Sequence, residues 1–151
     1  MKKNIYRLSN SEDELMEMLW ALNRPMTYIE MIETPWERTW KDSYLLKMLR
    51  TLESDGLIHV CGSELQGKAY IRKFLPSFTK EEYIAKAAAA RIDDGKQLPV
   101  LQAFAKETIK SMDSGDLADV MAKLVKKENK EIDEELKKKL EDIIKEIRER
   151  A

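Results

Sequence analysis

The sequence has one cysteine and one histidine in 151 residues. A lone cysteine, Cys61, excludes an intramolecular disulfide and a cysteine-cluster metal site. A lone histidine, His59, and the lack of a glycine-rich phosphate loop leave no visible constellation for acid–base or nucleophilic catalysis. No apolar run reaches the ~18 residues that a membrane span needs. These absences predict a protein that is not an enzyme, has no cofactor or metal, and does not insert into a membrane.

Glycine and proline are also scarce, and neither sign of charge is in excess. The chain has five glycines and four prolines, and it is 43% hydrophobic and 36% charged. This composition favours a helical soluble protein over a disordered or disulfide-stapled one. The net charge is −1, so any binding to nucleic acid must depend on where individual charges lie. The N-terminus turns acidic without an apolar core, unlike a secretory signal, and a cytoplasmic location is expected.

The stretch 41–82 predicts a long helix, a two-stranded hairpin and a second helix. Four apolar residues recur at helical spacing, and Gly56 supplies the positive φ that ends a helix. The hairpin is predicted as a first strand over 57–61, a polar loop over 62–67 and a second strand that Pro76 ends. A helix followed directly by a hairpin is how a winged helix-turn-helix presents a recognition helix and a wing to DNA. The four apolar residues are Leu45, Met48, Leu49 and Leu52.

Three capping boxes predict where shorter helices begin. Ser11 and Glu14 open a first helix that runs to Leu22, and Pro35 stops the second helix, which places Ile29 and Ile32 inward. The long third helix is led by Thr39 or Asp42. A fourth helix follows the hairpin and carries the run Ala87–Ala90, which suits close helix packing. The remaining capping boxes are Thr27 with Glu30 and Thr79 with Glu82.

The C-terminal third is helical in character throughout. Pro99 opens a helix that ends near Met112, Ser114 caps another, and the last begins near Ile132. Four apolar residues of the last helix follow the 4, 3, 4 spacing of a coiled-coil seam, which needs a partner. Packing within the chain and a homodimer interface both remain open, and we favour the homodimer. The predicted dimerisation residues are Leu117, Val120, Met121, Leu124, Leu136, Leu140, Ile143 and Ile147.

The face of the long helix opposite Leu45 and Leu49 carries polar and basic side chains. Ser43, Lys47, Arg50 and Ser54 share this face, and Trp40 is expected to flank it. A solvated helix face is the plain alternative, but the position before a hairpin favours DNA contact. On the second strand of the hairpin, Lys68, Tyr70 and Arg72 are expected to share one face, as a cation, an aromatic residue and a second cation. The predicted DNA-binding residues are Lys41, Ser43, Tyr44, Lys47, Arg50, Thr51, Lys68, Tyr70 and Arg72.

His59 and Cys61 are two residues apart on a predicted strand, where both side chains would share a face. A ligand pair is conceivable, but a metal ion would lack its third and fourth ligands nearby. We therefore predict no metal site.

Three motifs follow one another along the chain: Leu15–Trp20, the pattern of Leu45, Met48, Leu49, Leu52, Glu53, Gly56 and Leu57, and the segment Phe74–Tyr83 with its Pro76 and Thr79. In this order and spacing they resemble the penicillinase-repressor family of winged-helix transcriptional regulators. The resemblance covers residues 6–83 well and the C-terminal third loosely. It departs at Leu46 and Lys47, where the family's recognition helix has an arginine and a threonine, which leaves the operator sequence open.

The resemblance implies a bacterial repressor that binds a palindromic operator as a homodimer. The implied fold is mainly α with a small β-wing: a winged helix-turn-helix DNA-binding domain at 1–77 and a helical dimerisation domain at 78–151. Without a cysteine after Cys61, the copper-responsive variant is not supported. Repression by relatives is relieved when a membrane sensor-protease system causes cleavage in the C-terminal domain. Here that cleavage could map to Ala103 and Phe104 or to Lys123 and Leu124.

Two other functions remain open from the sequence. The neutral charge balance suits a winged helix that contacts only proteins, without sequence-specific DNA binding. The second open function is a repressor that senses a small molecule in a pocket between its domains. The local distribution of charge around the long helix discriminates between DNA and protein as the ligand.

Overall fold

The protein is mainly helical, as the composition predicts, and contains one small antiparallel sheet, as the hairpin pattern predicts. The computed structural model describes residues 4–127 and 134–149. None of the helices in these ranges is long and apolar enough to cross a membrane. The elements in chain order are α1 (Asn10–Leu22), α2 (Tyr28–Glu33), α3 (Asp42–Ser54), β1 (Ile58–Gln66), β2 (Ala69–Pro76), α4 (Lys80–Ala89), α5 (Gln97–Ile109), α6 (Ser114–Lys127) and α7 (Glu134–Glu149).

The chain divides into two compact units, Met1–Arg91 and Ile92–Ala151. The division lies after Arg91 and not after residue 77, because α4 packs on the N-terminal unit. The Tyr83 hydroxyl donates to the Tyr6 carbonyl at 2.7 Å. At the entrance to α4, Trp20 Nε1 donates to the Phe78 carbonyl at 3.0 Å.

The N-terminal unit is built around the apolar faces of α1, α2 and α3. The predicted stripe of α3 is confirmed, since all four of its residues are buried. On α2, Met31 is fully buried. The predicted inward position of Ile32 is confirmed, since its half-buried side chain packs against this core, and Ile29 is half-buried. The buried cluster consists of Leu15, Met16, Met18, Leu19, Met26, Met31, Trp40, Leu45, Met48, Leu49, Leu52, Leu57, Ile58 and Phe74.

The end of α3 joins the helix rigidly to the hairpin. Gly56 has the predicted positive φ, +79°. Its N–H donates to the Glu53 carbonyl at 3.0 Å, and the Leu57 N–H donates to the Leu52 carbonyl at 2.9 Å. This is the Schellman arrangement, and Leu52 and Leu57 are both fully buried beneath it. The direction in which the hairpin leaves α3 is therefore set by packed residues.

Two of the three predicted capping boxes are confirmed, at Thr27 with Glu30 and at Thr79 with Glu82. The first prediction is wrong by two residues, because Ser9 and Glu12 form the box and α1 begins at Asn10. Glu14 instead accepts hydrogen bonds from the N–H of Thr39 at 2.9 Å and from its hydroxyl at 3.0 Å. Thr39 therefore holds the approach to α3 against α1, and α3 itself begins at Asp42.

The hairpin is longer than predicted. Residues 62–66, which we assigned to a polar loop, continue strand β1, and only Gly67 and Lys68 form the turn. Gly67 has φ +61°, as a two-residue hairpin turn with glycine at its first central position requires. Most of the hairpin is exposed, so polar residues on it do not indicate a loop.

The second capping box carries a measurable pH dependence. Arg24 donates to the Glu30 carboxylate at 2.7 Å. This hydrogen bond is the main cause that lowers the pKa of Glu30; burial opposes it and the Thr27 N–H assists it. A carboxyl with a depressed folded pKa stabilises the fold above its unfolded pKa, and that contribution is lost as the pH falls through the folded value.

We therefore expect Glu30→Gln to remove part of the acid-induced loss of stability, by less than about 1 kcal/mol for so accessible a pair. Urea unfolding at neutral and at acidic pH measures the effect. Glu33→Gln, at an exposed position of the same helix, is the matched control. An unchanged pH dependence in Glu30→Gln contradicts the assignment.

The C-terminal unit packs α5, α6 and α7 around a smaller core. Helix α5 ends at Ile109 and not near Met112. Asp113 rather than Ser114 caps α6, since its carboxylate accepts from the N–H groups of Gly115 at 2.7 Å and Asp116 at 3.1 Å. The predicted start of the last helix at Ile132 lies outside the described residues. The buried cluster consists of Ala105, Leu117, Ala118, Val125, Ile143, Ile144 and Ile147.

The alanine run of α4 does not serve the packing that we predicted for it. Ala88, Ala89 and Ala90 are exposed and Ala87 is half-buried, and α4 contains no buried residue. The run therefore reflects the high helix propensity of alanine.

Candidate nucleic-acid interface

Helix α3 presents one exposed polar face to solvent. Ser43, Lys47, Arg50 and Ser54 are all exposed, and the opposite face is buried in the core of the N-terminal unit. Tyr44 is 43% exposed beside them, and the Lys47 ammonium lies 5.5 Å from the centre of its ring. The exposure that we predicted for this face is confirmed. We call these five residues the α3 face.

The two cations of the α3 face are not neutralised by neighbouring acids. Among the described residues, neither Lys47 nor Arg50 forms an ion pair. The helix has an acid near each end, but Asp42 pairs with Arg38 at 2.6 Å. At the other end, Glu53 accepts hydrogen bonds from Arg72 of the hairpin. The α3 face is therefore a local positive surface on a chain of nearly neutral total charge.

Of three residues near the α3 face, Trp40 does not lie as predicted, Thr51 bonds to its own helix, and Lys41 is exposed. Trp40 does not flank the exposed face: it is 5% exposed in the core, with the Arg38 guanidinium 4.0 Å from its ring centre. Its Nε1 has no hydrogen-bond partner in the described part of the chain. The Thr51 hydroxyl donates to the Lys47 carbonyl at 3.1 Å, so it bonds to its own helix. Lys41 is exposed at the position that precedes α3.

The hairpin is tied to α3 by one of its predicted DNA-binding residues. Arg72 donates to both carboxylate oxygens of Glu53, at 3.1 and 3.3 Å. Its guanidinium also lies 5.3 Å from the centre of the Phe74 ring. Arg72 therefore positions the hairpin against α3. Lys68 lies in the turn rather than on the strand, so the predicted alternation of three residues on one strand face is wrong.

The structure exposes apolar residues near the α3 face that sequence reasoning missed. Leu46 on α3 is 46% exposed and Leu65 on β1 is 57% exposed. Leu65 lies directly opposite Tyr70, which is 74% exposed. A shallow groove of about 200 Å³ separates α3 from the hairpin and is lined by Tyr28, Leu46, Tyr70, Ile71, Arg72 and Phe74. The exposure of Leu46 could have been predicted from the sequence, because Leu46 lies outside the helical spacing of the buried residues of α3.

A larger cavity of the N-terminal unit lies elsewhere, between the end of α1 and the start of α4. It has a volume of about 640 Å³ and is open to solvent. Two of its charged wall residues pair with each other, since Lys80 donates to Glu17 at 2.9 Å. Ser77 lines the cavity and its hydroxyl lies 3.4 Å from His59 Nδ1. This distance is at the long limit of a hydrogen bond, so we do not treat the cavity as the functional site.

His59 and Cys61 hold separate contacts on the exposed hairpin. His59 Nδ1 lies 3.4 Å from the Ser77 hydroxyl, and the Cys61 thiol donates to the Lys73 carbonyl at 3.5 Å. An irregularity of the ladder between Val60 and Gly62 interrupts the strand alternation at Cys61. Within residues 4–127 and 134–149, no group of three or more potential ligand side chains could hold a metal ion.

The predicted dimerisation residues fall into two groups. Leu117, Ile143 and Ile147 are buried in the chain's own C-terminal core, and Met121 and Leu140 pack against it. The predicted seam residues Ile143 and Ile147 are covered by the core of their own chain, because α7 packs on α5 and α6. A contribution of the partly buried Met121 and Leu140 to a dimer stays a prediction. Val120, Leu124 and Leu136 remain exposed, at 52%, 55% and 39%.

Both candidate cleavage positions lie inside helices. Ala103 and Phe104 are exposed on α5, and Lys123 and Leu124 are exposed on α6. A protease would have to open the helical hydrogen bonds around either bond before cutting it. Cleavage at these positions stays a prediction.

No protein family, curated protein or solved structure matches the chain. The function is therefore inferred from the geometry of the α3 face and the hairpin, together with the resemblance of the sequence motifs.

Proposed function

We propose that the chain is a DNA-binding transcriptional repressor whose N-terminal unit is a winged helix-turn-helix. The observation that carries this proposal is the α3 face: two cations that form no ion pair with any described residue, on an exposed helix that a hairpin follows directly. The resemblance to the penicillinase-repressor family supports the same function. Under this proposal α3 is the recognition helix and the hairpin is the wing.

The α3 face has the chemistry that a DNA groove requires. A single helix fits the major groove, which is about 12 Å wide. Lys47 and Arg50 donate to guanine acceptors or to phosphates, and Ser43 donates to bases or backbone near the start of the helix. Lys68 at the turn of the wing reaches the phosphate backbone. The pairing of Arg72 with Glu53 fixes the distance between the wing and α3.

The repressor binds as a homodimer to a palindromic operator. A two-fold dimer places its two recognition helices on half-sites about one helical turn, roughly 34 Å, apart. The exposed apolar residues of the C-terminal unit support self-association. A signal that separates the copies, such as cleavage in the C-terminal unit by a membrane sensor-protease system, relieves repression.

Salt dependence tests the phosphate contacts of α3. We expect Lys47→Ala and Arg50→Ala each to lower the slope of log affinity against log salt by about one if the side chain contacts phosphate. If Lys47 reads a base instead, we expect a loss of about 1–3 kcal/mol and relaxed specificity at one position. Fluorescence anisotropy with a mixed-sequence duplex and with a selected duplex measures the two effects.

Lys145→Ala is the matched control, because Lys145 is an exposed lysine of α7. It removes the same charge from the chain and should leave the slope unchanged. Equal effects of all three variants, or no binding of the intact chain at low salt, contradict the proposal.

A protein-interaction module without sequence-specific DNA binding is the alternative function. The exposed Leu46, Leu65 and Tyr70 around the groove favour it, because apolar side chains are enriched at the centres of protein interfaces. Leu65→Ser and Tyr70→Ser should then abolish partner capture while Lys47→Ala leaves it intact.

A further inference from the structure

Helix α6 exposes an apolar stripe that the core of its own unit does not use. Val120 and Leu124 are one helical turn apart and are 52% and 55% exposed. The inward side of the same helix is occupied by Leu117, Ala118 and Val125, which are buried. Val120 and Leu124 therefore form a second, exposed apolar face of α6 beside its buried face. We call these two residues the apolar stripe.

Charge is segregated along the same helix. Asp113, Asp116 and Asp119 lie in its first half or cap it, and Lys123, Lys126 and Lys127 lie in its second half. Asp116 precedes Val120 by one turn and Lys123 follows it by three residues, so both lie beside the apolar stripe. Asp119 pairs with Arg148 at 3.0 Å. Neither Asp116 nor Lys123 forms an ion pair among the described residues.

We infer that α6 is the self-association surface of the protein, and that two copies pair their α6 helices antiparallel about a two-fold axis. In this arrangement the apolar stripes meet, and the acidic half of each helix faces the basic half of the other. A parallel pair would place like charges together, so the charge pattern selects the antiparallel one. This inference rests on the homodimer of the proposed function, but it does not require DNA as the ligand.

The segregated charges also stabilise an isolated helix, because acids near its N-terminus and bases near its C-terminus oppose the helix dipole. A test must therefore separate contacts between chains from effects within one chain. Mixing two charge-reversed chains does so, since mixing leaves each chain's own helix unchanged.

Sedimentation equilibrium on the full chain is the measurement. Asp116→Lys and Lys123→Glu should each weaken the dimer about tenfold, because each reversal appears twice in a two-fold interface. An equimolar mixture of the two variants should recover dimers close to wild-type strength, since every reversed residue then faces an opposite charge. Single variants as dimeric as the wild type, or a mixture that recovers nothing, overturn the antiparallel pairing.

Leu124→Asp tests the stripe itself and should weaken the dimer by roughly 100-fold or more. Phe104→Asp is the control, because Phe104 is an exposed apolar residue of α5, 64% exposed. Circular dichroism confirms that both variants keep their helices. A monomeric wild type, or a dimer that survives Leu124→Asp and is lost in Phe104→Asp, overturns the inference. If the wild type is monomeric but binds DNA in a salt-dependent way, the α6 inference fails and the DNA-binding proposal stands.

Discussion

A Leu124→Asp chain is expected to bind a palindromic operator on the order of 10²–10⁴-fold more weakly than the intact chain. When two recognition helices are linked, the second half-site is bound at a high effective concentration. Under the proposed pairing of α6 helices, a charged residue in the apolar stripe should separate the copies and remove this gain. The α3 face is untouched, so the intrinsic affinity of each copy for one half-site should not change.

Two duplexes make this prediction testable by anisotropy. One carries the whole palindrome, and the other carries a single half-site with the second half scrambled. Leu124→Asp should lose affinity for the first duplex and keep it for the second. If the variant is monomeric and still binds the palindrome as tightly as the wild type, dimerisation does not control affinity.

Cleavage in the C-terminal unit should also lower the affinity for the palindromic operator. A cut between Lys123 and Leu124 separates α7 from α5 and most of α6, and a cut between Ala103 and Phe104 divides α5. Ile143 and Ile147 are buried against that helical core, so the C-terminal unit should lose its structure rather than release one helix cleanly. The chains 1–103 and 1–123 should then be monomeric, with half-site affinity alone. Dimeric fragments with full operator affinity would point to a small-molecule effector instead.

Leu52→Ala is expected to lower the free energy of unfolding of the N-terminal unit by about 2–5 kcal/mol. Leu52 is fully buried, and its carbonyl accepts the Leu57 N–H in the turn that joins α3 to the hairpin. The substitution leaves a cavity beneath this junction. Domains of ordinary stability unfold with about 5–15 kcal/mol, so the loss is a large fraction of the total.

Tryptophan fluorescence during urea unfolding measures this loss. All three tryptophans lie in the N-terminal unit, at Trp20, Trp36 and Trp40, so the signal reports on that unit alone. Leu46→Ala is the matched control on the same helix, since Leu46 is 46% exposed and should cost less than about 0.5 kcal/mol. Equal costs for the two variants contradict the burial pattern of α3.

The parts of the N-terminal unit that could be predicted from sequence are those that local chemistry determines. The spacing of Leu45, Met48, Leu49 and Leu52 defines one helix face. The capping boxes at Thr27 and Thr79 each pair a hydroxyl with an acid three residues later. Ser11 and Glu14 satisfy the same pattern, but Ser9 with Glu12 is the pair that caps α1. Local pattern alone does not choose between two overlapping boxes.

Contacts between distant residues could not be read from the pattern. Spacing places Ile143 and Ile147 on one seam, but it does not say whether the seam packs on its own chain or on a second copy. Arg72 is a cation on an exposed strand in the sequence, whereas its pairing with Glu53 requires the hairpin to fold back beside α3. The buried position of Trp40 likewise depends on how the segment before α3 crosses the core.

Selection of duplexes from a random pool by the purified full chain tests the proposed function most directly. Enriched duplexes should contain a palindrome whose half-sites lie about one helical turn apart. Lys47→Ala or Arg50→Ala should alter the base preference at defined positions or weaken binding to every sequence alike. A pool in which no palindromic sequence is enriched, with the intact chain folded and dimeric, contradicts the proposal and favours a protein as the ligand of α3 and the hairpin.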